Sequence, residues 1–144
     1  MDESKARKLV NKYIKGIRNG LQLWQWEINI TYMHQEDALA ELKIDAEYKK
    51  ANIRINHDDH ETEADLLRTL FHELLHIMHA DFELYRDQVW ETVSKRQAEV
   101  LDKSYTYACE KTVGRLLAIF EHGLGYDIKQ FVKRTNYVND KRLS

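Results

Sequence analysis

The sequence predicts an α+β fold, and three observations carry that expectation. Apolar residues recur at helical spacing near 4–19, 66–78 and 104–120. Between the first two of these stretches the period drops to two, over 23–33, 42–48 and 51–55. The order is therefore one helix, a small three-stranded sheet, then further helices, with strands and helices segregated along the chain. The 144 residues suit one domain, enough to bury about two-thirds of the unfolded surface around a single core.

The first helix carries Leu9, Val10, Tyr13, Ile14 and Ile17 among charged residues and closes at Gly20. In Leu23–Met33, Trp24, Trp26, Ile28, Ile30 and Tyr32 alternate with Gln25, Glu27, Asn29 and Thr31, which predicts a strand with one buried face. Leu42, Ile44, Ala46 and Tyr48 repeat the alternation, as do Ala51, Ile53 and Ile55, with a hairpin expected at Lys49-Lys50 despite its poor turn composition. Asn56–His60 is a polar loop. After it, Leu66, Leu67, Leu70, Phe71, Leu74, Leu75, Ile77 and Met78 mark a strongly amphipathic helix that no Gly or Pro interrupts. Thr62 and Asp65 form a capping-box pattern at its start, and Glu61, Glu63 and Asp65 place negative charge at its positive end. Residues 84–101 carry a weaker stripe of Leu84, Val89, Trp90, Val93, Val100 and Leu101. Residues 104–120 form a second apolar helix, ending at His122-Gly123. The domain is expected to span 1–127, and 128–144 to be a basic C-terminal tail.

Composition excludes several function classes. A net charge of −2 gives no global attraction to nucleic acid or to an anionic membrane surface. No stretch approaches membrane-spanning length, and MDESKARKLV lacks the apolar run of a signal peptide. The single cysteine, Cys109, rules out an internal disulfide and fits a reducing compartment, so a cytoplasmic location is expected.

The chemistry lies in His72-Glu73-Leu74-Leu75-His76, within the central helix. Imidazoles four residues apart project from one face, about 6 Å apart along the axis, and can bind the same ion. The Glu between them is placed to hold a water on that ion, so the pentapeptide offers two zinc ligands and a general base. A catalytic zinc needs a third protein ligand. His79 shares the face, but a straight helix carries it roughly 10 Å from His72, which suits a supporting or substrate-facing role. Glu99 has Asp102, Lys103 and Thr106 as helical neighbours, a solvated face. Glu110 instead has Tyr107, Val113, Gly114, Leu117 and Phe120, so its carboxylate interrupts an apolar stripe, where a charge is costly unless paired or bound to a metal. Gly114 would let another group approach one turn further on. Glu110 is the expected third ligand, against the alternative of a structural ion pair with a Lys or Arg. His57 and His60 could bind a metal themselves, but with His34 and His122 they are expected to be solvent-facing histidines with no ligand role.

His72-Glu73-Leu74-Leu75-His76 with Glu110 on a second helix resembles the gluzincin pattern of zinc metallopeptidases in compact form. The layout resembles minigluzincins, small phage- and prophage-type peptidases and the ImmA/IrrE-like group. The SprT-like group shares the pentapeptide but takes its third ligand from a downstream His, for which His122 is the one remaining residue. The resemblance implies a zincin fold whose last strand before the motif helix templates an extended substrate; here that is Ala51–Asn56, with Asn52, Ile53, Arg54 and Ile55 as the binding edge. Unlike the larger gluzincins, the chain has no second domain to wall the cleft and no Asn before Glu110.

The expected function is hydrolysis of a peptide bond in an intracellular protein or peptide, with one zinc ion on His72, His76 and Glu110. Glu73 is the expected base, and Tyr107, Tyr105 or His79 the second oxyanion donor. The alternative is a catalytically silent zincin scaffold that binds a partner around a structural zinc. Nucleic-acid binding is at most an accessory role of Lys129, Lys133, Arg134, Lys141 and Arg142.

Overall fold

The computed structural model describes residues 1–34, 37–123 and 127–133. Its order is α1 (Glu3–Gly20), β1 (Glu27–Met33), β2 (Ala40–Asp45), β3 (Lys50–Asn56), α2 (Glu63–Met78), α3 (Ala80–Trp90), α4 (Lys95–Ala118), a π-helical turn (Ile119–Gly123) and a short helix α5 over 128–133. The architecture is α+β with one three-stranded sheet, as the periodicities require.

Helix α1 starts at Asp2, whose side chain accepts from the Lys5 amide. It runs through Gly20, and the left-handed residue that reverses the chain is Gln22 (φ 58°), not the glycine. The first strand is shorter than its alternation suggested: Trp24 lies before it and is 59% exposed, while Trp26 is buried. The β2–β3 hairpin forms despite the lysine pair because Lys49 accepts φ 52° and Asp45 Oδ1 accepts from the Tyr48 amide at 3.2 Å.

Sheet order is β1-β3-β2, with β3 parallel to β1 and antiparallel to β2. The strand expected to be the substrate-binding edge is thus the central one. Its backbone is paired on both sides, Ile53 and Ile55 are fully buried, and Asn52 and Arg54 point to solvent, Arg54 toward Glu41 at 3.0 Å. Asn52, Ile53, Arg54 and Ile55 therefore offer no free edge. Sequence order hides this because the chain passes from β1 to the far edge, β2, before filling the middle.

Helix α2 is the centre of the core. Leu66, Leu67, Leu70, Phe71, Leu74, Leu75 and Ile77 are all buried, between the sheet, Ala6, Leu9, Val10 and Ile17 of α1, and Val113 and Leu117 of α4. Its capping box forms as the sequence predicts, with Thr62 Oγ1 accepting from the Asp65 amide and Asp65 accepting from the Thr62 amide. The weak stripe near 84–101 resolves into two helices, because Ser94 and Gln97 make a second capping box that restarts the chain as α4. The core also passes the boundary expected at 127. Ile128 and Val132 of α5 are buried, Phe131 packs edge-to-face against Phe71 and Phe120, and Lys129 pairs with Glu63 at 3.3 Å. Residues 134–144, with Arg134, Lys141 and Arg142, lie outside the described residues. No helix among the described residues is long and apolar enough to cross a membrane.

Candidate metal centre

The helical repeat places His72 and His76 one turn apart on the side of α2 that α4 approaches, and their Nε2 atoms lie 3.1 Å apart. Glu110 reaches across from α4. One carboxylate oxygen lies 3.2 Å from His76 Nε2 and the other 3.6 Å from His72 Nε2. Among the described residues these three form one of two groups whose donor atoms converge closely enough for a metal ion.

The donor set can be tested against zinc by geometry. Bonds of about 2.0–2.1 Å at tetrahedral angles put neighbouring ligand atoms about 3.3 Å apart. The two imidazole nitrogens are 3.1 Å apart, and the nearest Glu110 oxygens, a different one for each ring, lie 3.2 and 3.6 Å away, all close to that value. Burial of both imidazoles holds their pKa values below the usual range, outweighing the opposing pull of Glu110. Burial thus favours the neutral ring, the protonation state a ligand needs. The residues fit a zinc ion.

Glu110 is exposed, not set in a buried stripe as its helical neighbours suggested. Its side chain is 56% exposed and Tyr107 is 65% exposed, so the carboxylate does not interrupt a buried stripe. Only Val113 and Leu117 of the supposed stripe are buried in α4, and a Cβ at Gly114 would meet nothing within 4 Å. Glu110 stands on the rim of the cleft and leans toward the histidines. Exposure removes the desolvation argument but leaves the convergence.

Glu73 lines the same cleft, a cavity of about 310 Å³ walled by Ala40, Leu42 and Ile44 of β2 on one side and by α3 and α4 on the other. Burial, with a smaller push from the Glu110 charge, raises its carboxyl to about 7. His79 caps the end of α2 and also lines the cleft; its Nδ1 donates to the Leu75 carbonyl at 3.0 Å, which fixes the ring. Tyr105 faces the cleft beside Cys109, under the Arg86 guanidinium, and burial raises its hydroxyl well above the ordinary tyrosine range. Tyr107, one of the expected oxyanion donors, does not line the cleft: it accepts from Lys111 Nζ at 3.2 Å on the exposed face of α4.

The cleft has further contributors that the sequence pattern does not mark. Edge strand β2 supplies a wall of alternate residues; Cys109 and Arg86 flank Tyr105; and Glu83 brings a third carboxylate, raised by burial, with no ion-pair partner within 4 Å among the described residues. Arg86, its neighbour along α3, is engaged by Asp87 and Asp102 and by the faces of Trp90 and Tyr105. The available signal for Glu83 was its position one helical turn beyond His79.

Of the other histidines expected at the surface, His34 and His122 are exposed, but His57 and His60 are buried. His60 is 1% exposed, with Nδ1 on the Asn56 carbonyl at 2.7 Å and Nε2 on Thr69 Oγ1 at 2.9 Å, and His57 is 5% exposed. His34 is exposed but not isolated, since it contacts Asp58 and lies edge-on to His57. Neither a protein-family model, nor a curated protein, nor a solved structure significantly matches this chain.

Proposed function

We propose that the chain is a zinc-dependent metallopeptidase of the Glu type, with a compact zincin-like domain, acting on a protein or peptide substrate. One observation carries the reading: two imidazoles and a carboxylate converge from α2 and α4 at zinc-ligand spacing, and a half-buried glutamate faces the same cleft. A structural zinc has no need of that glutamate.

Zinc held by His72, His76 and Glu110 would supply Lewis acidity toward a carbonyl and lower the pKa of water toward 7. Glu73 supplies the proton transfer. A carboxyl raised to about 7 can accept a proton from the attacking water near neutral pH and return it to the leaving amine nitrogen. Tyr105, whose hydroxyl burial keeps in the donor form, would stabilise negative charge on the substrate oxygen, whereas His79, with its Nδ1 hydrogen given to the Leu75 carbonyl, would donate there from Nε2 only as an imidazolium.

An extended substrate would add to the sheet at β2. That strand is an edge of the sheet, and Ala40, Leu42 and Ile44 already face the cleft. The role that the resemblance gave to Ala51–Asn56 thus moves to Ala40–Asp45. Hydrolysis of a fluorogenic peptide library by the zinc-loaded chain, compared with Glu73→Gln, tests the reading. Cleavage that disappears in the variant while zinc stays bound is expected. Equal cleavage by both proteins would overturn it, and bound zinc with no cleavage by either would favour the silent scaffold.

A further inference from the structure

Strands β1 and β3 run parallel with Met33 opposite Asn56, so the residues that follow each strand leave the sheet at the same end. Those residues are His34 on one side and His57-Asp58 on the other. The rings of His34 and His57 stand edge to face with centroids 4.8 Å apart. The Asp58 carboxylate lies between them, one oxygen against His34 Nδ1 and the other 3.0 Å from His57 Nδ1. One donor atom from each residue falls within 4.8 Å of the other two, the second convergent group among the described residues.

We propose that His34, His57 and Asp58 form a second metal site, structural in role, that takes zinc or a similar divalent transition ion. Two imidazoles and one carboxylate suit such an ion better than calcium or magnesium, which favour all-oxygen shells. The separation of 3.0 Å is already close to the ~3.3 Å between neighbouring tetrahedral ligands. A fourth ligand is at hand, because the Met1 carbonyl oxygen lies 2.9 Å from His57 Nδ1. His57 Nδ1 thus faces two oxygens, from Met1 and from Asp58, with at most one hydrogen to give, so a cation satisfies the cluster more fully than a proton does. The two sides of the site differ usefully: His57 is packed at 5% exposure and fixes the position, while the His34 side chain, 77% exposed, leaves a path for an ion to enter. An ion here would tie the end of β1 to the loop that leads into α2, and so brace the start of the helix that carries His72 and His76.

The site is independent of the proposed peptidase activity and is tested without it. The chain is stripped with a chelator, exposed to micromolar zinc, desalted and analysed for metal. The parent should retain two zinc ions per chain; His34→Ala and Asp58→Asn should each retain one; and the double variant His72→Ala/His76→Ala should also retain one. In that double variant, zinc should raise the thermal midpoint by several degrees, and adding His34→Ala should abolish the rise. His34 is solvent-exposed, so its loss leaves the fold intact, which far-ultraviolet circular dichroism checks. Equal zinc content in the parent and both single variants, or no thermal response in the double variant, would overturn the proposal.

Discussion

Replacing Glu73 with Gln should stabilise the metal-free fold above neutral pH while abolishing turnover. A carboxyl raised from 4.5 to about 7 binds more protons folded than unfolded between those values, so the parent loses stability as pH rises through that window. At about 1.4 kcal/mol per pH unit, the full interval corresponds to about 3 kcal/mol. Glu73 is not wholly closed to solvent, and about 2 kcal/mol is the expected gain for the variant at pH 8. At pH 4.5 and below, where the parent carboxyl is protonated in the native state, the two proteins should agree within about 0.5 kcal/mol. His72 and His76 titrate with the opposite sign: their lowered values make stability rise with pH up to the ordinary histidine range. Glu73 is not among the causes of either shift, so this contribution cancels when the proteins are compared. Urea unfolding of the chelated proteins at pH 4.5 and pH 8 is the assay. A difference that does not change with pH, or a variant less stable than the parent at pH 8, would show that Glu73 is not held in a desolvated site and would remove the basis for its role as a base.

Glu110→Ala should leave the stability of the metal-free chain within about 0.5 kcal/mol of the parent, since the side chain is largely exposed, yet weaken zinc binding at the His72–His76 site by more than ~100-fold, as competition with a chromogenic chelator would measure. Gly16 and Gly114 should respond in opposite directions in chemical denaturation. Gly114→Ala should stabilise by about 0.5–1 kcal/mol because a Cβ there meets open space, whereas Gly16→Ala should cost about 1–3 kcal/mol because its Cβ would lie 2.3 Å from Val132 Cγ1. Combining Gly16→Ala with Val132→Ala should cost less than the sum of the two single changes, which checks that α5 docks on α1. His60→Ala should destabilise by about 1–3 kcal/mol by removing a buried ring that bonds both the Asn56 carbonyl and the Thr69 hydroxyl, and a midpoint shift in urea would record it.

The local elements were legible in the sequence because each is written in short-range spacing. The period of α2 places His72, Glu73 and His76 on neighbouring positions whatever surrounds them, and the Thr62–Asp65 cap is complete within four residues. The Ser94–Gln97 cap is equally local and divides the 84–101 stretch into two helices. Reading Glu110 was a different matter. The residue was found by an argument from burial that its 56% exposure does not support, because spacing along α4 says nothing about which side of that helix meets α2.

By itself the sequence determined the periods, the caps and hence the α+β class, together with the pairing of two imidazoles and a glutamate on one helical turn. Tertiary structure alone decided which strand is free and which histidines are buried. Parallel pairing of β1 with β3 is a contact between residues some two dozen positions apart; it closes the presumed substrate edge, opens β2 beside the cleft, and brings His34 to His57. The physical reason is that side-chain alternation fixes which face of a strand is apolar but not which neighbour takes up its backbone hydrogen bonds.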